Sequence, residues 1–174
     1  MARLFRLCWE VMRTHSLPDT TFMILGRGDS PDYAYKNMDE FKRKLKTVFS
    51  KSEIERFTSF DSQVTCSTVH KSKGLEADVV IVLNVNERNF PIIHPNNQLY
   101  GILGVTMKEV YKEERRLFYV ALTRAKKMLY LLHEKNLKSE FVSEIELKLK
   151  SYNRWLSDAD QTRNNSVIVD DILF

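Results

Sequence analysis

The segment Asp78–Val85, DVVIVLNV, carries apolar side chains at every position except its first and its seventh. A strand with one wet face alternates apolar and polar residues. A run that stays apolar is covered on both faces, as happens in parallel sheets flanked by helices. This run therefore constrains the fold more than any other feature. Three further β-favouring stretches join it: TTFMIL at Thr20–Leu25, QVTCSTV at Gln63–Val69 and KMLYLLHE at Lys127–Glu134.

Helical patterns lie between these strands. Leu4, Leu7, Cys8 and Val11 recur at helical spacing, with Phe5, Trp9 and Met12 on the flank. Asn37 followed three residues later by Glu40 reads as a capping box, opening a helix with Met38, Phe41, Leu45, Val48 and Phe49 on one face. A long helix from about Glu109 carries Glu114, Leu117, Phe118, Ala121 and Ala125. Ser139 is placed to cap another, with Val142, Ile145 and Leu149 inside. Strands alternating with helices predict an α/β sandwich with a mainly parallel sheet. The link between QVTCSTV and DVVIVLNV is short for a parallel crossover. Either a single helical turn bridges them, or the pairing is less simple.

With 174 residues, 43% of them hydrophobic and 29% charged, the chain can bury a core as one domain, assigned to residues 1–150. The polar stretch SDADQTRNN follows in a tail, 151–174, whose SVIVDDILF is either an edge strand or part of a neighbour. Between Asn86 and Val110, NERNFPIIHPNN reads as a loop and QLYGILGV as a short helix. A net charge of +4 permits a polyanionic partner without demanding one. Cys8 and Cys66 make neither a disulfide framework nor a zinc spacing, and Cys66 is expected to pack as a small apolar side chain. His15, His70, His94 and His133 show no metal-ligand spacing, and His94 and His133 are expected at the surface. No apolar run approaches the roughly 20 residues of a membrane helix. The opening MARLFRLCWEVMRTH mixes arginines into its apolar residues, unlike a signal peptide, so the chain reads as cytoplasmic.

No GxxxxGK[ST] phosphate loop, GxGxxG, GxSxG or HExxH is present, so no self-sufficient catalytic site is legible. The notable cations are two arginines read at loop positions. Arg27 directly follows a strand, and Arg124 sits in YVALTRAKK among apolar neighbours. A guanidinium forks onto phosphate oxygens, although a structural salt bridge explains either arginine as simply. In HKSKGLE, Gly74 permits close backbone approach, Lys71 and Lys73 suit phosphates, and Glu76 suits sugar hydroxyls; a solvated polar turn is the plain alternative. Glu113 and Glu114 are expected to pair with Arg115 and Arg116 along their helix.

STVHKSKGLEADVVIVLN resembles motif V of the UvrD/Rep family of superfamily 1 DNA helicases, and EERRLFYVALTRAKKMLYLL resembles motif VI. FMILGR, Phe22–Arg27, is similar to motif IV, and the wording is most like the helicase IV-like branch. The resemblance implies the second RecA-like domain, 2A: a three-layer sandwich of the P-loop NTPase type that lacks its own Walker A loop. It implies ATP and Mg2+ bound mainly by a first RecA-like domain, with Arg27 and Arg124 serving the γ-phosphate. By the same resemblance Gly74 and Glu76 meet the nucleotide, Thr68, His70 and Lys73 meet single-stranded DNA, and the chain alone does not hydrolyse ATP. There is no metal ligand and no membrane partner in this reading.

The sequence departs from the family twice. Gly26 stands where a tyrosine usually stacks on adenine, which puts nucleotide discrimination in doubt. Only Gly28–Ser62 separates motifs IV and V, where the family usually inserts a large subdomain. A second reading is a degenerate RecA-like module that binds DNA or protein without hydrolysis. Both arginines and Glu76 speak against it, since a docking module has no use for γ-phosphate sensors.

Overall fold

The computed structural model describes residues 2–15, 19–28, 37–55, 57, 59–93, 104–134, 136–147 and 166–172. Their elements are α1 (Ala2–Thr14), β1 (Phe22–Gly26), α2 (Met38–Val48), α3 (Lys51–Ile54), α4 (Phe60–Gln63), β2 (Val64–Thr68) and β3 (Ala77–Val82). After these come α5 (Met107–Leu122), β4 (Ala125–Glu134), α6 (140–147) and β5 (Ser166–Ile172). The strands form one sheet in the order β2-β1-β3-β4-β5, and every neighbouring pair is parallel.

The unbroken apolar run of β3 follows from this order. β3 is central, and its side chains point alternately into two cores. Val79, Ile81 and Leu83 meet α1 and α2 through Leu4, Cys8, Met12, Phe41 and Leu45. Val80 and Val82 meet α5 and α6 through Phe118, Ala121, Phe141 and Val142. The three layers are thus helix, sheet and helix. Stacked rings lock the first core, with Phe5 and Phe41 centroids 4.8 Å apart and Trp9 and Phe49 centroids 4.3 Å apart. Phe118 packs between Phe90 and Phe141 in the second.

β2 and β3 are not neighbours; β1 lies between them and pairs with both. The short link therefore crosses over β1 instead of joining adjacent strands. Phe5, Trp9 and Met12, expected on the flank of α1, are as buried as Leu4 and Cys8. Asn37 caps α2, its side chain accepting from the Glu40 N–H at 2.9 Å. Val48 is exposed, whereas Met38, Phe41, Leu45 and Phe49 are buried. The long helix ends at Leu122, so Ala125 opens β4 instead of continuing α5. That helix begins at a full capping box between Thr106 and Glu109.

His133 corrects an expectation: it lies within β4 and is buried. Cys66 is half-buried against the first core, and burial pushes its thiol up to about 12. Beyond residue 150, β5 adds a parallel edge strand beside β4. Gly28–Ser62 supplies α2, α3 and part of α4. His94, Leu149, most of the loop 26–32, most of the helix expected over QLYGILGV and the stretch SDADQTRNN lie outside the described residues. No described helix is long and apolar enough to cross a membrane.

Candidate functional site

β2 ends at the carboxyl edge of the sheet, Thr68 level with Gly26, and the next N–H, of Val69, donates to the Gly26 carbonyl at 2.9 Å. A parallel β3 must restart at the opposite edge, so residues 69–76 carry the chain back. They do so in tight turns: Ser72 N–H donates to Thr68 O at 3.0 Å and Leu75 N–H to Ser72 O at 2.9 Å. The Ser72 hydroxyl, fully buried, donates to Val69 O at 2.7 Å and fastens the turn from inside. Ser72 was not singled out in the sequence. His70, Lys71, Lys73 and Glu76 are left exposed. Gly74 has φ +86, a conformation that costs any residue with a Cβ, although nothing lies within 4 Å of where that atom would be. Its glycine is required by backbone conformation and not by crowding.

Arg124 meets the far end of this turn. Thr123 caps α5, and the Arg124 guanidinium folds back over the helix end. Nε donates to Val120 O at 2.9 Å, Nη1 to Leu75 O at 2.9 Å and to Ser72 O at 3.5 Å, and Nη2 to Thr123 Oγ1 at 3.1 Å. A guanidinium has five N–H donors. One N–H of Nη2 is therefore left over among the described residues, on a half-buried side chain at the amino edge. Either side of Ala77, whose N–H donates to Arg124 O at 3.0 Å, Glu76 pairs with Lys126 at 3.6 Å and Asp78 with Lys127 at 2.9 Å. Asp78 also accepts from the N–H and hydroxyl of Thr21, at 3.0 and 2.8 Å. The Thr21 N–H first, and then the Lys127 ammonium, hold its carboxyl down at about 2.

Arg27 stands elsewhere. It follows Gly26 at the carboxyl edge, buried, and its Nη2 donates to Glu114 Oε1 at 2.5 Å. The second carboxylate oxygen accepts from the Ile92 N–H at 2.9 Å. The guanidinium carbon lies 5.8 Å from the centre of the Phe90 ring, and Nε has no hydrogen-bond partner among the described residues. Leu25 is level with Val82, and Val82 with Leu131, whereas Arg124 precedes Ala125, level with Ala77. About 17 Å of strand rise lies between those two levels. The backbones of Arg27 and Arg124 therefore leave opposite edges of the sheet. In this structure the two arginines do not converge on one point, and the charge of Arg27 is already neutralised by Glu114.

The turn divides the other expected residues between the same two edges. Thr68 and His70 lie at its carboxyl-edge end, Gly74 and Glu76 at its amino-edge end, and Lys73 is exposed between them. Among the described residues no three His, Cys, Asp or Glu side chains gather to hold a metal. Glu114 was expected to pair along its helix, as Glu113 does with Arg116 at 3.3 Å. Its signal was its position: it shares a stripe at spacings of three, four and seven with Leu117, Phe118 and Ala121, which points it inward.

The family model described as UvrD-like helicase C-terminal domain matches residues 24–136, from within β1 to just past β4. The chain belongs to this family. It is 38% identical over 94 residues to a probable DNA helicase II homolog of Mycoplasma pneumoniae, covering 54% of this chain and 12% of that protein. It is 31% identical over 124 residues to the ATP-dependent DNA helicase PcrA of Leuconostoc citreum, covering 66% of this chain and 15% of that one. A DNA helicase II of Rickettsia typhi is 28% identical over 153 residues, 74% of this chain and 22% of its own length. The UvrD-like chain thus spans less than a quarter of each of these relatives. Its parallel sheet between two helical layers is the RecA-like α/β arrangement.

Proposed function

We propose that this chain is the second RecA-like part of an ATP-dependent superfamily 1 DNA helicase or translocase, working in the cytoplasm against a first RecA-like domain. That domain brings the phosphate loop and holds Mg2+. The observation that carries the reading is the turn at 69–76. One short segment presents Thr68 and His70 at one edge of the sheet and Gly74 and Glu76 at the other, where Arg124 grips it.

At the amino edge, Arg124 has a donor to spare for a γ-phosphate, where negative charge spreads during phosphoryl transfer. Glu76 supplies an acceptor for a ribose hydroxyl, and Gly74 keeps the backbone low beside the nucleotide. Arg27 is not given the γ-phosphate in this proposal, because its charge is committed to Glu114 at the other edge. Thr68 and His70 at the carboxyl edge, with Lys73 from the middle of the turn, meet the sugar–phosphate backbone of a single strand. Such contacts carry no sequence information and suit a motor that moves over any sequence. The two binding events share one turn, so occupation of either bears on the position of the other.

The test uses the full-length protein that contains this chain. Single-stranded DNA is expected to stimulate its ATP hydrolysis, while the chain by itself binds single strands weakly and hydrolyses nothing. Hydrolysis by the isolated chain, or a full-length protein indifferent to DNA, would overturn the reading.

A further inference from the structure

The Glu114 carboxylate links parts of the molecule that the turn alone does not. Its oxygens take the Arg27 guanidinium and the Ile92 N–H, with both side chains of the pair almost fully buried. Arg27 follows Gly26, whose carbonyl receives the Val69 N–H where the turn begins. Glu114 sits in mid-helix, and ten residues further along is Arg124, which holds the turn's other end through the carbonyls of Leu75 and Ser72. The connections close into a ring: turn, Gly26, Arg27, Glu114, α5, Arg124 and back to the turn. Every link is a hydrogen bond, an ion pair or the covalent chain itself.

We propose that Glu114 is a positioning residue that registers α5 against the carboxyl edge, so that a strand bound at Thr68 and His70 sets the placement of Arg124. The inference rests on the function proposed above. A rigid helix pinned at its middle by a buried ion pair moves as a body, so a shift at Gly26 and Arg27 is delivered at Arg124. The uncommitted Nε of Arg27 fits this role. Among the described residues the guanidinium makes one hydrogen bond, to Glu114, and its other contact, with the Phe90 ring at 5.8 Å, is the weaker hold if that bond is lost. Glu114 touches neither the proposed nucleotide nor the proposed DNA site, so its effect is on coupling and not on binding.

The experiment compares ATP turnover with and without single-stranded DNA in the full-length protein and its Glu114→Gln variant. Glutamine keeps the shape and one acceptor but removes the charge that holds Arg27. The ratio of stimulated to basal turnover is expected to fall by at least roughly fivefold, the scale of an ordinary coupling between sites. Basal turnover and DNA affinity should stay near wild type. Removing one partner of a buried pair destabilises, so an apolar double variant, Arg27→Met with Glu114→Leu, keeps the packing without a stranded charge. Its ratio should fall as well. A folded Glu114→Gln protein with wild-type stimulation overturns the inference, as does a parallel loss of basal and stimulated turnover. A wild-type protein that DNA does not stimulate defeats the proposed function itself, a distinct result.

Discussion

Arg124 donates from Nη1 to the carbonyl oxygen of Leu75 at 2.9 Å, across a sequence separation of 49 residues. The end of α5 is thereby tied to the turn that precedes β3, and a second bond, Ala77 N–H to Arg124 O at 3.0 Å, runs between the same two segments. The guanidinium serves as a structural clasp and, in the proposed function, as a phosphate ligand. Its planar fork allows both, because its donors point in several fixed directions at once.

A lysine cannot hold both posts. In the full-length protein Arg124→Lys is expected to lower ATP turnover by about 100-fold or more, with Arg124→Ala at least as severe, as for other arginines that meet transferring phosphoryl groups. KM for ATP should change far less, since most nucleotide contacts are assigned to the first domain. Steady-state hydrolysis with saturating single-stranded DNA checks this. Near-normal turnover in Arg124→Lys would remove the phosphate role.

Asp78 makes a pH-dependent contribution whose sign is fixed. Its folded carboxyl titrates at about 2, below the roughly 3.9 of an unfolded aspartate, so the stabilisation is present above pH 4 and lost as pH falls toward 2. The carboxylate joins Thr21 before β1 to Lys127 in β4 across the start of β3, pinning three strands at the amino edge. Urea unfolding from pH 2 to 7 should show Asp78→Asn less stable than wild type above pH 4. The two curves should converge near pH 2. A constant gap at every pH would mean that shape, and not ionisation, matters at this position.

Much of the fold is legible because both kinds of periodicity are clean. β3 reads as buried on both sides since nothing polar interrupts Val79 to Leu83, and Phe41 and Leu45 fall on one stripe of α2. The strand order is harder to read. Nothing in QVTCSTV says that its partner is TTFMIL and not the DVVIVLNV that follows; that depends on the turn folding back over β1. His133 and Glu114 mislead for one reason. A polar residue is assigned to solvent by default, yet one ends inside β4 and the other inside a buried ion pair with a residue 87 positions away. The site residues of the turn are legible by type. Their division between two sheet edges emerges only from the crossover.

Gly74 separates a conformational requirement from a spatial one. With φ +86 and open space where a Cβ would stand, Gly74→Ala meets no atom but must adopt a left-handed backbone, at a cost of about 1–2 kcal/mol. Asparagine tolerates that region better, so Gly74→Asn should recover part of the loss. Denaturant midpoints should rank wild type above Asn and Asn above Ala. If Ala matched wild type in stability, the positive φ would not be a requirement of the fold.

Lys73 tests the proposed DNA edge without touching catalysis. It is exposed, in the middle of the turn, and no partner for its ammonium is seen among the described residues. Each phosphate contact releases bound counterions when a single strand docks, so a plot of log K against log salt steepens by about 0.7 per contact. In the full-length protein Lys73→Ala should weaken single-strand binding to the same degree across sequences and make the slope shallower by about that amount. A variant bearing Lys112→Ala on α5, away from the turn, serves as the control for lost net charge. Equal slopes in Lys73→Ala and wild type would move the strand off this turn. Equal losses in both variants would reduce the effect to long-range charge.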